Sequence, residues 1–291
     1  MLTEGVHIIP LSEYIADPAP QPSLNAGAVH TLITKSPRHA CYGHPRLNAN
    51  YESDESSRLD IGTIAHALLL ENDASRVVVI EADDWRTKAA KEQRDEARAL
   101  GKLPILSKDY FGIQEMVLVA KAAIAKSEFA QDWREAIPEQ TLLWQHEGVW
   151  CRSRPDKATP DWRILWDYKT SVSAHPMAFM RTIMQHGYDI QAELGMMGVE
   201  ALGLNEGEKV AFVFVVQEIE PPYALSFISL SPEWQQLAHQ KIKRAMMTWK
   251  GCLRENHWPA YTTQVAYLEP PAYASIGWED YLHPINAEDF V

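Results

Sequence analysis

Apolar positions along the chain change period at its centre. In the first third they follow helical spacing. IGTIAHALLLE (61–71) is apolar on more than one side and predicts a buried helix opening near Asp60. Residues 109–126 place Ile113, Met116, Val117, Val119, Ala120, Ala123 and Ile124 on an amphipathic helix. RVVVIE (76–81) predicts a short strand, and the charged stretch 86–100 a helix. The pattern then becomes extended. TLLWQHEGVWCRSRPD contains two apolar runs around His146-Glu147-Gly148, a hairpin signal. RILWDYKTS, entered through Thr159-Pro160-Asp161, is a third strand. A helix is expected from about Ala174 to Ala201, followed by strands KVAFVFVVQEI and YALSFISL around Pro221-Pro222 and a long helix from Pro232 to Asn256. The Pro-rich residues 1–22 predict an extended arm, and Ser23 is a candidate cap for a helix ending near SPRHACYGHP. Residues 257–291, with Pro270, Pro271 and Pro284, predict a wrapping tail. The main domain is therefore 23–256, an α/β or α+β fold with a mixed central sheet flanked by helices.

Composition narrows the function classes. With 46% apolar residues in 291, the chain buries a substantial core. No stretch approaches the roughly 18–20 unbroken apolar residues of a membrane helix, so no membrane role is expected. The N-terminus has neither the basic start nor the apolar run of a signal peptide. Cys41, Cys151 and Cys252 match no zinc or disulfide spacing and read as reduced thiols, which points to the cytoplasm. Cys41 and Cys151, despite nearby His39 and His146, do not read as thiol nucleophiles, because sequence neighbours rarely build a catalytic pair.

A net charge of −12 argues against a protein that merely coats nucleic acid. Basic residues are nevertheless concentrated locally, in 86–108 and 241–254. Both runs read either as solvated helix faces or as DNA contacts, and the candidates are Lys88, Lys91, Arg98, Lys102 and Lys243, with Arg154 from the central strands.

The chemistry centres on Asp167 and Lys169. Two apart on a strand, they share one face at about 7 Å between Cα atoms. Placing both charges on a strand that is otherwise apolar (Ile164, Leu165, Trp166) is costly unless something uses them. If the loop at 159–162 closes a hairpin, Asp156 falls nearly opposite Leu165 and diagonal to Asp167. Diagonal neighbours lie about 7–8 Å apart, so the two carboxylates can converge on one cation. A slip of one residue would put them on opposite faces. Such a pair, with water positions left open, suits Mg²⁺. The adjacent lysine can orient a water and neutralise a phosphate oxygen, as phosphodiester hydrolysis requires. Alone, so short a pattern as D-x-K is far more often a surface ion pair beside an unrelated turn aspartate.

The surrounding motifs carry a resemblance. R-P-D followed eleven residues later by D-Y-K-T-S resembles the PD-(D/E)XK nuclease superfamily. SPRHACY, D-IGTIAHALLLE, RSRPDK, LWDYKTS and HGYDIQAELG, in that order over residues 23–200, resemble the exonuclease VIII (RecE-type) phage recombination nucleases. The resemblance implies a restriction-endonuclease-like core. It also implies that Asp156, Asp167 and Lys169 are the metal-binding and catalytic triad and that His66 completes the metal site. His66 on its own residues reads as a core histidine. Tyr188 and Gln191, in G-Y-x-x-Q, match the motif on the helix behind the sheet, with the glutamine expected to contact Lys169 or the scissile nucleotide. Glu139 matches an additional acid on the first strand. The aromatic residue often found four positions after the glutamine is Gly195 here, so no stacking role is expected on that turn. Because imidazole suits Mn²⁺ better than Mg²⁺, manganese is expected to substitute.

The implied activity is 5′-to-3′ exonucleolysis of linear double-stranded DNA, leaving 3′ strands for recombination through a single-strand annealing protein, by a homo-oligomer acting on duplex ends. The alternatives are a structure-selective or single-strand nuclease and a catalytically idle DNA-binding module of the same fold.

Overall fold

The computed structural model describes residues 1–51, 61–71, 73–271, 273, 274 and 278. Strand β1 (Gly5–His7) leads into helices α1 (Leu11–Ile15), α2 (Ala26–Thr34) and α3 (Pro37–Tyr42). Helix α4 (Ile61–His66) continues directly into a π-helical turn over Ala67–Glu71. Its expected start, Asp60, lies outside the described residues. Next come β2 (Val77–Ile80), α5 (Lys88–Ala99), β3 (Leu103–Leu106), α6 (Ser107–Lys126) and α7 (Ala130–Glu135). The centre supplies β4 (Ile137–Pro138), β5 (Thr141–His146), β6 (Val149–Ser153), β7 (Lys157–Ala158) and β8 (Ile164–Ser171). After α8 (Pro176–His186) and α9 (Tyr188–Ala201), strands β9 (Ala211–Glu218) and β10 (Leu225–Ile228) lead to α10 (Pro232–Glu255).

The expected mixed sheet is five-stranded, in the order β10-β9-β8-β7-β4. Only β8 and β9 run parallel, because the α8–α9 crossover joins them. A second sheet, β1-β5-β6, is antiparallel, and β2 pairs with β3 in parallel. Alternation along β8 divides the interior. Leu165 packs with Phe212, Phe214 and Val216 against Ile190 and Leu194 of α9. On the opposite face Trp166 and Tyr168 pack with Val213 and Val215 against Ile113, Met116 and Val117 of α6. A central parallel strand covered on both faces needs a continuous apolar run, and AFVFVV in β9 provides one.

Two expectations are corrected. The single helix expected over Ala174–Ala201 breaks at Gly187, whose φ of 69° closes α8 in the left-handed conformation. A Cβ there would come within 2.6 Å of the His30 ring on α2, so glycine is required for both conformation and packing. The cap of α2 is Asn25, which accepts the Ala28 N–H at 2.8 Å, and not Ser23.

Ser23 serves a buried ionic cluster. Its hydroxyl donates to Asp17 at 2.6 Å, and Arg152 Nη1 donates to the Ser23 carbonyl at 2.8 Å. Asp17 also lies 3.3 Å from Arg152 and 3.2 Å from His44. Residues 1–22 are thus fastened to β6 at Arg152 and, through β1, to β5. Burial works against the charge on Asp17, but His44, Arg152 and Ser23 together hold its carboxyl below the usual range.

Residues 1–259 form one compact unit and 260–291 another. Within the second, the Ala274 N–H bonds the Pro271 carbonyl. Pro284, on which part of the tail expectation rests, lies outside the described residues. Among the described residues, no helix is long and apolar enough to cross a membrane.

Removing one partner of a buried ion pair strands the other. Asp17→Ala is expected to cost about 3–5 kcal/mol in urea denaturation at neutral pH. Asp17 has a depressed folded pKa, so its contribution is full above the unfolded value near ~4 and fades as pH falls through the folded value. The difference between the two proteins should narrow in that direction. A loss under about 1 kcal/mol at neutral pH, the worth of an exposed pair, would contradict the mooring role.

Candidate active site

Sheet register builds the site. Ile137 pairs with Ala158 and Pro138 with Lys157, while Lys157 pairs with Trp166 and Ala158 with Leu165. One step further along the same ladders stand Glu139, Asp156 and Asp167. The Glu139 N–H donates to the Asp156 carbonyl at 3.0 Å. The Tyr168 N–H donates to Asp156 Oδ2 at 2.6 Å. This corrects the expected register, because Ala158 and not Asp156 stands opposite Leu165. The cause is Thr159, which extends the ladder. Its N–H donates to the Ile164 carbonyl and its hydroxyl accepts the Ile164 N–H, both at 3.0 Å. The connection is therefore 160–163, with Trp162 at φ 57°. Asp156 comes level with Asp167 instead of diagonal to it.

Helix α4 ends on His66, which reaches this row of acids. Its Nε2 lies 3.1 Å from Asp156 Oδ1 and 3.5 Å from Glu139 Oε1. Donor atoms of His66, Glu139 and Asp156 all fall within 4.8 Å of one another. Among the described residues this is the one group of three or more His, Cys, Asp or Glu side chains so arranged. Glu139 adopts φ 58°, a left-handed backbone that is costly for a residue with a Cβ. Arg154 steadies it. Its Nε donates to Glu139 Oε2 at 2.5 Å, and its Nη1 donates to the Ile9 carbonyl at 2.7 Å and to Thr141 Oγ1 at 3.1 Å.

Asp167 is 2% exposed and is engaged from two sides. Gln191 Nε2 donates to its Oδ1 at 2.6 Å, and the Lys169 ammonium contacts its Oδ2. The glutamine's partner is thus Asp167. Lys169 Nζ stands 4.8 Å from the centre of the Tyr188 ring, a cation–π contact. That ring stacks in turn on His186 (5.5 Å) and Phe179 (5.9 Å). A cleft of about 240 Å³ opens beside Tyr188 and Gln191, bordered by Tyr14, Arg154 and the start of α2. Gly195 faces inward, where a Cβ would sit 3.3 Å from Leu165 and Phe212, so an aromatic residue cannot occupy that turn.

The crowding of charge separates the two aspartates. Burial, then the neighbouring charge of Asp156, pushes Asp167 up to about 6. Partial burial also works against a charge on Asp156, yet His66 and Lys169 hold it below the usual carboxylate range. Burial opposes a charge on His66, but Asp156, Glu71 and Glu139 outweigh it and carry the imidazole up to about 10. Lys169 is raised against its burial by Asp167 and Asp156. One imidazole nitrogen and two carboxylates, with a third beside them, form a donor set that fits a hard divalent cation such as Mg²⁺ or Mn²⁺.

The structure thus brings together His66, Glu139, Asp156, Asp167, Lys169, Tyr188 and Gln191. The other basic candidates stand apart from it. Lys88 pairs with Glu92 on its own helix at 3.7 Å, and Lys91, Arg98, Lys102 and Lys243 are exposed. Arg154 is part of the cluster itself. Sequence reasoning passed over Glu71, whose only signal was its place at the end of the IGTIAHALLLE run.

Comparison with known proteins agrees with this fold. The family described as "PDDEXK-like domain of unknown function (DUF3799)" matches residues 32–271. The crystal structure of a "Putative exonuclease" from Eubacterium rectale superposes with a TM-score of 0.60 at 13% identity, covering 97% of this chain and all of that one. A second solved structure, SSO0001, has 17% identity over 70% of this chain and 98% of its own, but a TM-score of only 0.26. No curated protein sequence matches the chain. With the family match spanning most of its length and the fold in agreement, the chain belongs to the PDDEXK-like DUF3799 family.

Proposed function

We propose that this protein is a Mg²⁺-dependent deoxyribonuclease that degrades linear double-stranded DNA from its 5′ ends. The observation that carries the reading is the convergence of His66, Glu139 and Asp156 donor atoms within 4.8 Å, directly beside the Asp167–Lys169 pair. His66, Glu139 and Asp156 would hold the cation, with Asp167 completing the set. A bound divalent cation supplies a Lewis acid for the phosphoryl oxygen and lowers the pKa of a water.

The chain's own residues do the rest. Lys169, kept charged by Asp167 and Asp156, offers a proton donor and a positive charge to a phosphate oxygen as negative charge develops in the transition state. Tyr188 supports the ammonium from below, and Gln191 fixes the carboxylate that orients it. The cleft bordered by Arg154, Tyr188 and Gln191 is proposed as the approach of the strand. The 5′-to-3′ direction, the homo-oligomer and the single-strand annealing partner rest on the resemblance to the RecE-type nucleases, and the cytoplasmic setting on cysteines whose spacing suits neither zinc nor disulfides. The exposed Lys88, Lys91, Arg98, Lys102 and Lys243 are proposed as outlying phosphate contacts.

Digestion of end-labelled linear DNA and of closed circular DNA tests this reading. With Mg²⁺ or Mn²⁺, a 5′ label should be released in the first turnovers and circular DNA left intact. Ca²⁺, which takes more ligands at longer distances, should support little hydrolysis, and chelator none. Cleavage of circular DNA would instead favour a structure-selective endonuclease, and undiminished hydrolysis in excess chelator would remove the metal from the mechanism.

Lys169→Ala should lower turnover on the order of 10²–10³-fold while the protein remains folded. Lys169→Arg should also be poor, because guanidinium is larger and does not deprotonate. An arginine variant with near-normal turnover would leave only a charge role for this side chain. Single-turnover kinetics with circular dichroism as the folding control make the measurement.

A further inference from the structure

Glu71 lies on the far side of the histidine from the acids. Its Oε1 is 3.8 Å from His66 Nδ1, whereas Nε2 faces Asp156 and Glu139. The backbone explains how it gets there. In an α-helix a residue five positions on is turned by about 140° and faces away. A π-helix, with its i→i+5 hydrogen bonds, brings residues five apart toward the same face. The helix changes from α to π immediately after His66, over Ala67–Glu71. Single π turns are rare and recur at functional sites.

Glu71 is also held from behind. Arg76 Nη1 donates to its two carboxylate oxygens, at 3.3 and 3.1 Å. A neutral imidazole carries a single N–H. If that hydrogen is kept on Nδ1 by a carboxylate, the Nε2 lone pair is left free toward the opposite side.

We propose that Glu71 is the positioning residue for His66. Its charge, 3.8 Å from Nδ1, holds the hydrogen on that nitrogen, favours the tautomer that presents the Nε2 lone pair to the space between Asp156 and Glu139, and depends on the π-helical turn for its placement. The proposal deepens the metal-dependent reading above and rests on it. The competing role is an ordinary surface ion pair between Glu71 and Arg76, which would affect stability slightly and the metal site not at all.

Titration calorimetry with Mn²⁺ alone, on metal-free wild type, Glu71→Gln and Glu71→Ala, separates the two roles without any activity assay. The wild type should bind, and folded Glu71 variants should bind about 10–100-fold more weakly. Affinities within twofold of wild type in folded variants would overturn the proposal while leaving the nuclease reading intact. A wild type that binds no Mn²⁺ would overturn both.

A second measurement needs no variant. In wild type loaded with diamagnetic Zn²⁺, which accepts the same donors, the ¹⁵N shifts of His66 should report a protonated Nδ1 and a ligating Nε2. Ligation through Nδ1, or a His66 that does not ligate, would overturn the proposal.

Discussion

Three carboxylates placed side by side by sheet register cannot all keep their charge without cations among them. Glu139, Asp156 and Asp167 continue three neighbouring strands at one level; Asp167 is buried and the other two are only partly open to the screening of water. The protein answers with Arg154 on Glu139, His66 between Glu139 and Asp156, and Lys169 on Asp167. The separation of the two aspartates, one pushed up to about 6 and the other held low, follows from this arrangement. So does a charged His66. In the proposed mechanism an incoming divalent cation takes over the role of that imidazolium, so metal binding and proton release are coupled.

The rest of the fold keeps this charged row in place. Strand β8 is clamped between two apolar layers, which leaves Asp167 and Lys169 little freedom to turn away. The glycine break before Tyr188 starts a new helix there, from which Tyr188 and Gln191 meet the Lys169–Asp167 pair from one side. Arg152, fixed by Asp17 and Ser23, anchors the end of β6. From there Arg154-Pro155-Asp156 leads into the site, and proline stops the β6 ladder because it has no N–H to donate. The ionic cluster thus anchors the strand that leads to Asp156.

Much of this was legible in the sequence. The extended run RILWDYKTS marked β8, the two-residue repeat of a strand put Asp167 and Lys169 on one face, and His146-Glu147-Gly148 marked the β5–β6 hairpin. Motif order, more than physics, singled out His66, Tyr188 and Gln191, because an imidazole in an apolar helix has an equally good explanation as core. What failed did so for identifiable reasons. The β7–β8 register depended on the side chain of Thr159, which captures one more ladder position than a turn pattern implies. Gly187 sits in a run whose apolar spacing continues across it, so the helix break was invisible without the contact to His30. Arg154 read as a DNA contact because its partner, Glu139, is fifteen residues away in the sequence. Glu71 was hidden because a spacing of five belongs to no regular α-helical face.

The central claim is that His66, together with Glu139 and Asp156, holds a divalent cation. Pulsed electron paramagnetic resonance of the Mn²⁺-loaded protein tests it most directly, since a coordinated imidazole imprints a ¹⁴N modulation on the Mn²⁺ signal. The account predicts that modulation in wild type and its loss in His66→Gln with Mn²⁺ still bound at higher concentration. Stoichiometric Mn²⁺ in wild type with no nitrogen coupling, or a coupling that survives in His66→Gln, would contradict it.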